Sequence, residues 1–310
     1  MRSKLRLGTS RRQPRAAGVP HWLTPLAIAA GIASLAPIPA AAAEAPTRLV
    51  RVVDYESSVS RDGRLAFVSN RSGAFELYTT DADGKQPRQL TFDGGGKDNP
   101  SWSPDGTRIA YVAQVGDNAD IHLIDAHGTR QRRLTTGPHR ELHPFWSPDG
   151  TRIVFTRYVD SPPGAGVLSV HAMDADGGNE TALTHGTSAS YASFSPDGKH
   201  LLYWRLFGDN AEIVIADADG RDEKRLTRDP AFDGWPSWAP DGTRIAFARE
   251  RGDAADIYTL DLATGTERLL SGGRGRKTAP KWTADGTAVL FDRTLDGETG
   301  IWRIDAGGGR

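Results

Sequence analysis

One turn sequence recurs along the chain at nearly constant spacing. Ser103-Pro104-Asp105-Gly106 follows Trp102 and precedes the apolar run Ile109-Ala110-Tyr111. The unit returns as Trp146-Ser147-Pro148-Asp149-Gly150, Phe194-Ser195-Pro196-Asp197-Gly198 and Trp238-Ala239-Pro240-Asp241-Gly242. Looser copies stand at Val59-Ser60-Arg61-Asp62-Gly63 and Trp282-Thr283-Ala284-Asp285-Gly286. Glycines 63, 106, 150, 198, 242 and 286 are 43, 44, 48, 44 and 44 residues apart. A period of this length means a supersecondary unit stacked on copies of itself. A second punctuation follows about 20 residues on, as in Asp125-Ala126-His127-Gly128 and Asp217-Ala218-Asp219-Gly220. An Arg-Leu-Thr or similar ending follows, as in Arg133-Leu134-Thr135 and Arg225-Leu226-Thr227.

Each unit reads as four short strands. The first carries the Trp, and Pro and Gly pre-set the φ values of the turn after it. The second and third alternate apolar and polar residues, and an Asp-x-x-Gly turn leads to the fourth. Six such units predict an all-β, six-bladed β-propeller. The last unit lacks a fourth strand, while Thr47-Arg48-Leu49-Val50-Arg51-Val52 precedes the first unit and matches the missing one. The N-terminal strand is therefore expected to complete blade six and close the ring, which removes open sheet edges.

Residues 1–43 stand outside this repeat. Arg2, Lys4, Arg6, Arg11, Arg12 and Arg15 precede a weakly apolar stretch from Leu23 to Pro37 and then Ala40-Ala41-Ala42-Ala43, with no acidic residue. That is the order of a signal peptide, with cleavage after Ala43. Ser10-Arg11-Arg12 hints at twin-arginine export, although Gln13-Pro14-Arg15 lacks that signal's apolar pair. The expected mature protein is one propeller domain over 44–310, exported to the periplasm or secreted. Of 38 Lys and Arg and 39 Asp and Glu in the whole chain, 32 and 39 remain, a charge of −7. An acidic exported protein is a poor nucleic-acid binder, and no other run approaches membrane-spanning length. The absence of Cys removes disulfides, thiol nucleophiles and thiolate metal sites.

The stretch Phe67 to Thr91 holds Ser69-Asn70-Arg71-Ser72-Gly73, Glu76-Leu77-Tyr78, Asp81-Ala82-Asp83-Gly84 and Arg88-Gln89-Leu90-Thr91. It resembles the repeats of the TolB family, WD-repeat-like propeller units built around a Pro-Asp-Gly turn. The resemblance covers the propeller part only, since the α/β domain that precedes it in TolB has no counterpart after Glu44. It implies a non-catalytic binding or scaffold module, a monomer that docks another envelope protein. Similar propellers also cap prolyl peptidases and form oligogalacturonate lyases. Neither a hydrolase domain after Arg310 nor a G-x-S-x-G elbow is found in this sequence, so a prolyl peptidase is not expected.

In a meander of four strands, alternate turns fall on opposite ends. The Ser-Pro-Asp-Gly and Asp-x-x-Gly turns should share one face, and the variable loops the other, where grafted function is expected. The longer third repeat places an enlarged loop, residues 160–166, on that variable face. Two positions before the Ser101 column stand Glu56, Asn99, His143, Tyr191, Trp235 and Ala279. Pseudo-sixfold symmetry should set them on one circle at the channel mouth, and the first five suit partner or ligand recognition. No catalytic residue and no cofactor is assigned. The one candidate for a divalent metal is His139, Glu141 and His143, spaced to share one side of an extended segment. A lyase or hydrolase acting on an acidic saccharide or peptide is the alternative function. A carbohydrate binder stacking sugars on Tyr191 and Trp235 is another. The repeated Trp102, Trp146, Trp238 and Trp282 read as blade packing, and the turn aspartates as capping their own turns. A calcium role for Asp81 and Asp83 lacks an EF-hand pattern, and Arg274, Arg276 and Lys277 read as a solvated loop.

Overall fold

The structure, a computed structural model, describes residues 47–48, 53–81, 83–159 and 166–307. The signal segment and most of the enlarged loop therefore lie outside the described residues. All regular structure among the described residues is strand. After β1 (Thr47–Arg48) come β2 (Asp54–Val59), β3 (Leu65–Ser69), β4 (Glu76–Thr80) and β5 (Arg88–Gln89), which form blade one. Blade two is β6 (Lys97–Trp102), β7 (Arg108–Val115), β8 (Asn118–Asp125) and β9 (Arg132–Arg133). Blade three is β10 (Arg140–Trp146), β11 (Arg152–Val159), β12 (Val167–Asp174) and β13 (Thr181–Ala182). Blade four is β14 (Ala189–Phe194), β15 (His200–Phe207), β16 (Asn210–Asp217) and β17 (Lys224–Arg225). Blade five is β18 (Phe232–Trp238), β19 (Arg244–Arg251), β20 (Ala254–Asp261) and β21 (Glu267–Ser271). Blade six is β22 (Arg276–Trp282), β23 (Ala288–Leu295), β24 (Glu298–Asp305) and, on its outer edge, β1.

The expected closure is observed. β1 pairs antiparallel with β24, Thr47 opposite Arg303 and Arg48 opposite Trp302. The six first strands touch one another in a closed cycle, β2 against β6 and so on to β22 against β2. Deleting residues 44–53 leaves β24 as an open edge and unties the last blade from the first. Thermal unfolding of that deletion should show a melting temperature several degrees lower, with aggregation on heating; an unchanged melting temperature would contradict the closure.

The core lies between blades rather than within them. Val154 and Val170 of blade three meet Phe194 and Tyr203 of blade four, and the seam between blades six and one is packed by Leu290, Ile301, Leu65 and Phe67. The repeated sequence marks explain this stacking. Three framework tryptophans receive a guanidinium from the previous blade: Arg64 over Trp102, Arg108 over Trp146 and Arg244 over Trp282, at 4.6, 4.7 and 4.8 Å. Such stacks add cation–π attraction to apolar burial. The turn aspartates do cap their own turns: Asp105 Oδ1 accepts from Ser103 Oγ (2.6 Å) and from the Thr107 N–H (3.0 Å), a pattern kept at Asp149. The Leu-Thr step supplies a missing ladder partner. Thr91, Thr135, Thr184 and Thr227 each turn Oγ1 onto a third-strand N–H, those of Leu77, Ile121, Val170 and Ile213. A two-residue fourth strand leaves that donor without a backbone acceptor. Gly220, at φ +84°, packs so tightly that any Cβ would collide with the Leu183 carbonyl of the preceding blade.

The two turn families share a face, as expected. Ala126 N–H donates to Thr107 O (2.8 Å), Ala175 to Thr151 O (2.8 Å) and Ala218 to Lys199 O (2.9 Å). The other face carries the hairpin loops and the blade-to-blade connections, where Phe92 is 76% exposed and Phe207 38%.

Candidate functional site

The channel along the axis is lined by the first strands, and all six break their pairing register at one place. The shifts fall between Tyr55 and Ser58, Asp98 and Ser101, Leu142 and Phe145, Ser190 and Ser193, Gly234 and Ser237, and Thr278 and Lys281. The residue at the centre of each bulge is Glu56, Asn99, His143, Tyr191, Trp235 or Ala279. All six have φ between 45° and 61°. Left-handed backbone at a non-glycine costs on the order of 1 kcal/mol. Bulges re-aim side chains and recur beside functional sites. In four blades the next residue is proline, Pro100, Pro144, Pro236 or Pro280, which a strand tolerates where no ladder donor is needed. A proline inside four of the six candidate first strands is the sequence signal for this bulge.

The ring is only partly open. Glu56, His143 and Trp235 are half-buried, whereas Tyr191 and Ala279 are 2% exposed and Asn99 8%. Tyr191 cannot serve as a stacking platform. Its ring is covered by Lys281 Nζ (4.6 Å) and by His143 (4.7 Å between centroids), with Phe145 against its edge (5.4 Å).

Chemistry divides the channel into two flanks. On the side of blades six, one and two, carboxylates run in relay. Asp292 Oδ2 accepts from the Glu56 N–H (2.8 Å), and Glu56 Oε2 accepts from the Asn99 N–H (3.0 Å), which also meets Asp98 Oδ1 (2.9 Å). Both carboxylates thus meet the same Asn99 N–H. Burial, reinforced by Asp98, pushes Glu56 well above the usual carboxylate range. Burial also raises Asp98, and Asp292 to about 7. Three neighbouring carboxylates in a confined space cannot all ionise cheaply. On the side of blades three to five the lining is aromatic, with His143, Phe145, Tyr191, Phe232 and Trp235. His143 Nδ1 meets Ser190 Oγ (3.1 Å), and burial, with Lys281 nearby, lowers the imidazole to about 3. Lys281 bridges the flanks. Its ammonium lies over Phe145 (4.4 Å) as well as Tyr191, and burial lowers it to about 8 against the pull of Glu56 and Asp292.

Lys281 and Asp292 escaped the sequence reading, yet each is the odd residue in its column. Asp292 pairs with β22 where the other blades have Val68, Val112, Thr156, Trp204 and Ala248. Lys281 stands where they have Ser58, Ser101, Phe145, Ser193 and Ser237.

The proposed metal ligands do not converge. Glu141 is fully buried and its Oε1 accepts from Arg157 Nε (2.9 Å). The bulge takes His143 out of the strand alternation, and its ring goes to Ser190. His139 precedes β10. Among the described residues no three His, Asp or Glu side chains are grouped to hold a metal ion. Asp81 Oδ1 caps its turn through the Lys85 N–H (2.7 Å). The basic cluster is engaged internally: Arg274 with Asp296 (3.0 Å), Arg276 with Glu250, and buried Lys277 with Asp256 (3.0 Å).

Comparison with known proteins supports this architecture. The model of a family described as TolB beta propeller domain matches residues 40–157 and 157–310. No curated protein matches the chain. Among solved structures, TolB from Acinetobacter baumannii is 25% identical with a TM-score of 0.64; the match covers 80% of this chain and 65%, under two thirds, of that one. A putative TolB from Agrobacterium tumefaciens is 22% identical over 82% of this chain and 90% of its own, at a TM-score of 0.65. An oligogalacturonate lyase in complex with manganese is 16% identical over 84% and 92%, at 0.57. The last two likenesses are of fold alone.

Proposed function

The chain belongs to the TolB β-propeller family, and on that premise we propose that it is a non-catalytic binding module for a partner protein of the cell envelope. Residues 1–43 act as an export signal removed near Ala43, and residues 44–310 work as one domain in the periplasm. The partner docks on the face of the blade-to-blade connections and reaches the channel mouth. One observation carries this reading: six strained bulges hold non-repeating residues at the channel, while the opposite face repeats for structural reasons. Perturbed titration at the same place fits a functional site. Binding is favoured over catalysis because one oxygen each of Asp292 and Glu56 is taken by a backbone N–H and the Lys281 ammonium lies on aromatic faces.

Affinity capture from envelope extract tests the proposal. The mature protein and a turn-face variant, Lys199→Glu with Arg221→Glu, should recover the same protein. His143→Ala and Trp235→Ala should each reduce that recovery by about tenfold, the loss of one well-packed contact. Failure to recover any protein, or equal recovery by the channel variants, would contradict it.

A further inference from the structure

Blades three to six carry an arginine at one place in the second strand: Arg157, Arg205, Arg249 and Arg293. In the first three, a glutamate from the start of the outer strand takes the guanidinium. Glu180 binds Arg157 through two bonds of 2.5 and 2.9 Å, Glu223 binds Arg205 at 2.5 Å, and Glu267 binds Arg249 at 2.7 and 3.2 Å. Blade six keeps the arginine, and neither residue opposite it in the first and third strands is an acid. Opposite Arg293 in the first strand stands Lys277, where Glu141 and Asp233 face their arginines. In the third strand stands Gly300, where the other blades have Glu76, Asp120, Ser169, Glu212 and Asp256.

Arg293 is left in an unusual state. Among the described residues no carboxylate lies within ion-pair distance of it. Its Nη2 donates to the Arg274 carbonyl (3.0 Å), its buried Nε–H has no acceptor, and its guanidinium lies over Trp302 at 4.6 Å. A buried donor without a partner costs about 1–3 kcal/mol. Beside it opens a groove of about 300 Å³, lined by Arg293, Leu295, Asp296, Glu298, Gly300 and Trp302, at the small end of ligand pockets. Lys277, opposite Arg293 in the first strand, is buried and paired with Asp256. Asp296 is occupied by Arg274.

We propose that this groove binds a carboxylate-bearing ligand, with Arg293 receiving from outside the carboxylate that Glu180, Glu223 and Glu267 supply from within their blades. The fork of the guanidinium takes the carboxylate in two parallel bonds, and the room left by Gly300 takes the ligand's body against Trp302. The ligand is either a free organic acid or the acidic side chain of a peptide.

The test follows the Arg293 side-chain Nε–H resonance by nitrogen-15 NMR while adding glutarate in one arm and the capped tripeptide Gly-Glu-Gly in the other. Saturable movement of this signal in either arm is expected, and the arm with tighter binding names the source. Arg293→Gln should weaken the binding by about tenfold or more, the loss of a charge-assisted pair. Gly300→Asp supplies an internal carboxylate opposite Arg293, at the third-strand position of Asp120 and Asp256, and it should block both probes in a protein that still unfolds cooperatively near the parent's melting temperature. An unmoved Nε–H signal at tens of millimolar of both probes, or probe binding unchanged in Gly300→Asp, overturns the proposal.

Discussion

Replacing Arg249 with alanine is expected to lower the melting temperature by roughly 6–20 °C at pH 7. Arg249 is 5% exposed. Its Nε and Nη2 donate to the two oxygens of Asp233 (2.7 and 2.8 Å), its Nη1 donates to Glu267 (2.7 Å), and its guanidinium lies over Phe247 and Tyr258. Asp233 is fully buried. Even beside this arginine, burial raises it to about 6. Without Arg249 the carboxylate is stranded, a loss of about 3–5 kcal/mol, and each kcal/mol is worth about 2–4 °C in a domain of this size. The deficit should shrink at pH 5, where the stranded carboxyl takes a proton. Adding Asp233→Ala should recover much of it, because the charge itself then goes. A single variant melting within about 2 °C of the parent would show that the cluster contributes little.

The second large effect is a dependence on pH centred on the channel. Asp292, 6% exposed, is raised by burial to about 7. A group raised on folding holds its proton more tightly in the native state. Its contribution is therefore complete below the unfolded value near 4 and is lost as pH climbs through about 7. The loss from Asp292 alone is on the order of 4 kcal/mol; Glu56 and Asp98 act in the same direction, while His143, lowered by burial to about 3, opposes it up to its unfolded value near 6.5 and not above. The turn aspartates act oppositely. Their own turn donors lower Asp105, Asp149 and Asp241, so that contribution is present above about pH 4 and disappears below it. Thermal melts should therefore show a maximum near pH 5, with a decline of several degrees by pH 8. Asp292→Asn keeps an acceptor for the Glu56 N–H and should flatten the decline. A melting temperature that rises steadily from pH 5 to pH 8 would refute this account.

The six-blade architecture and its closure were readable from the chain because the repeat is written twice in each unit. Pro-Asp-Gly and Asp-x-x-Gly turns tolerate few substitutes, and Leu-Thr has a backbone donor to satisfy, so these residues recur visibly. The ring could also be located, since column alignment needs only the repeat. Its physical state could not. Nothing in Glu56 or Trp235 as residue types announces left-handed backbone, and the mid-strand prolines signal it only once strand limits are known. The assumed alternation of His139, Glu141 and His143 failed for that reason: a bulge between Leu142 and Phe145 breaks the period on which the metal reading depended. Relations across the closing seam were harder still. Asp292 and Glu56 are 236 residues apart in sequence, and their contact exists only because the ring closes.

The central claim is that the connection face and channel mouth form the working surface. The most direct test places a photo-crosslinking amino acid in living cells at Phe92 and Phe207 on that face, and at Lys199 and Arg221 on the turn face. The account predicts a discrete adduct with one partner protein from the first pair and none from the second. Adducts that arise equally from the turn face, or from neither face, would contradict it.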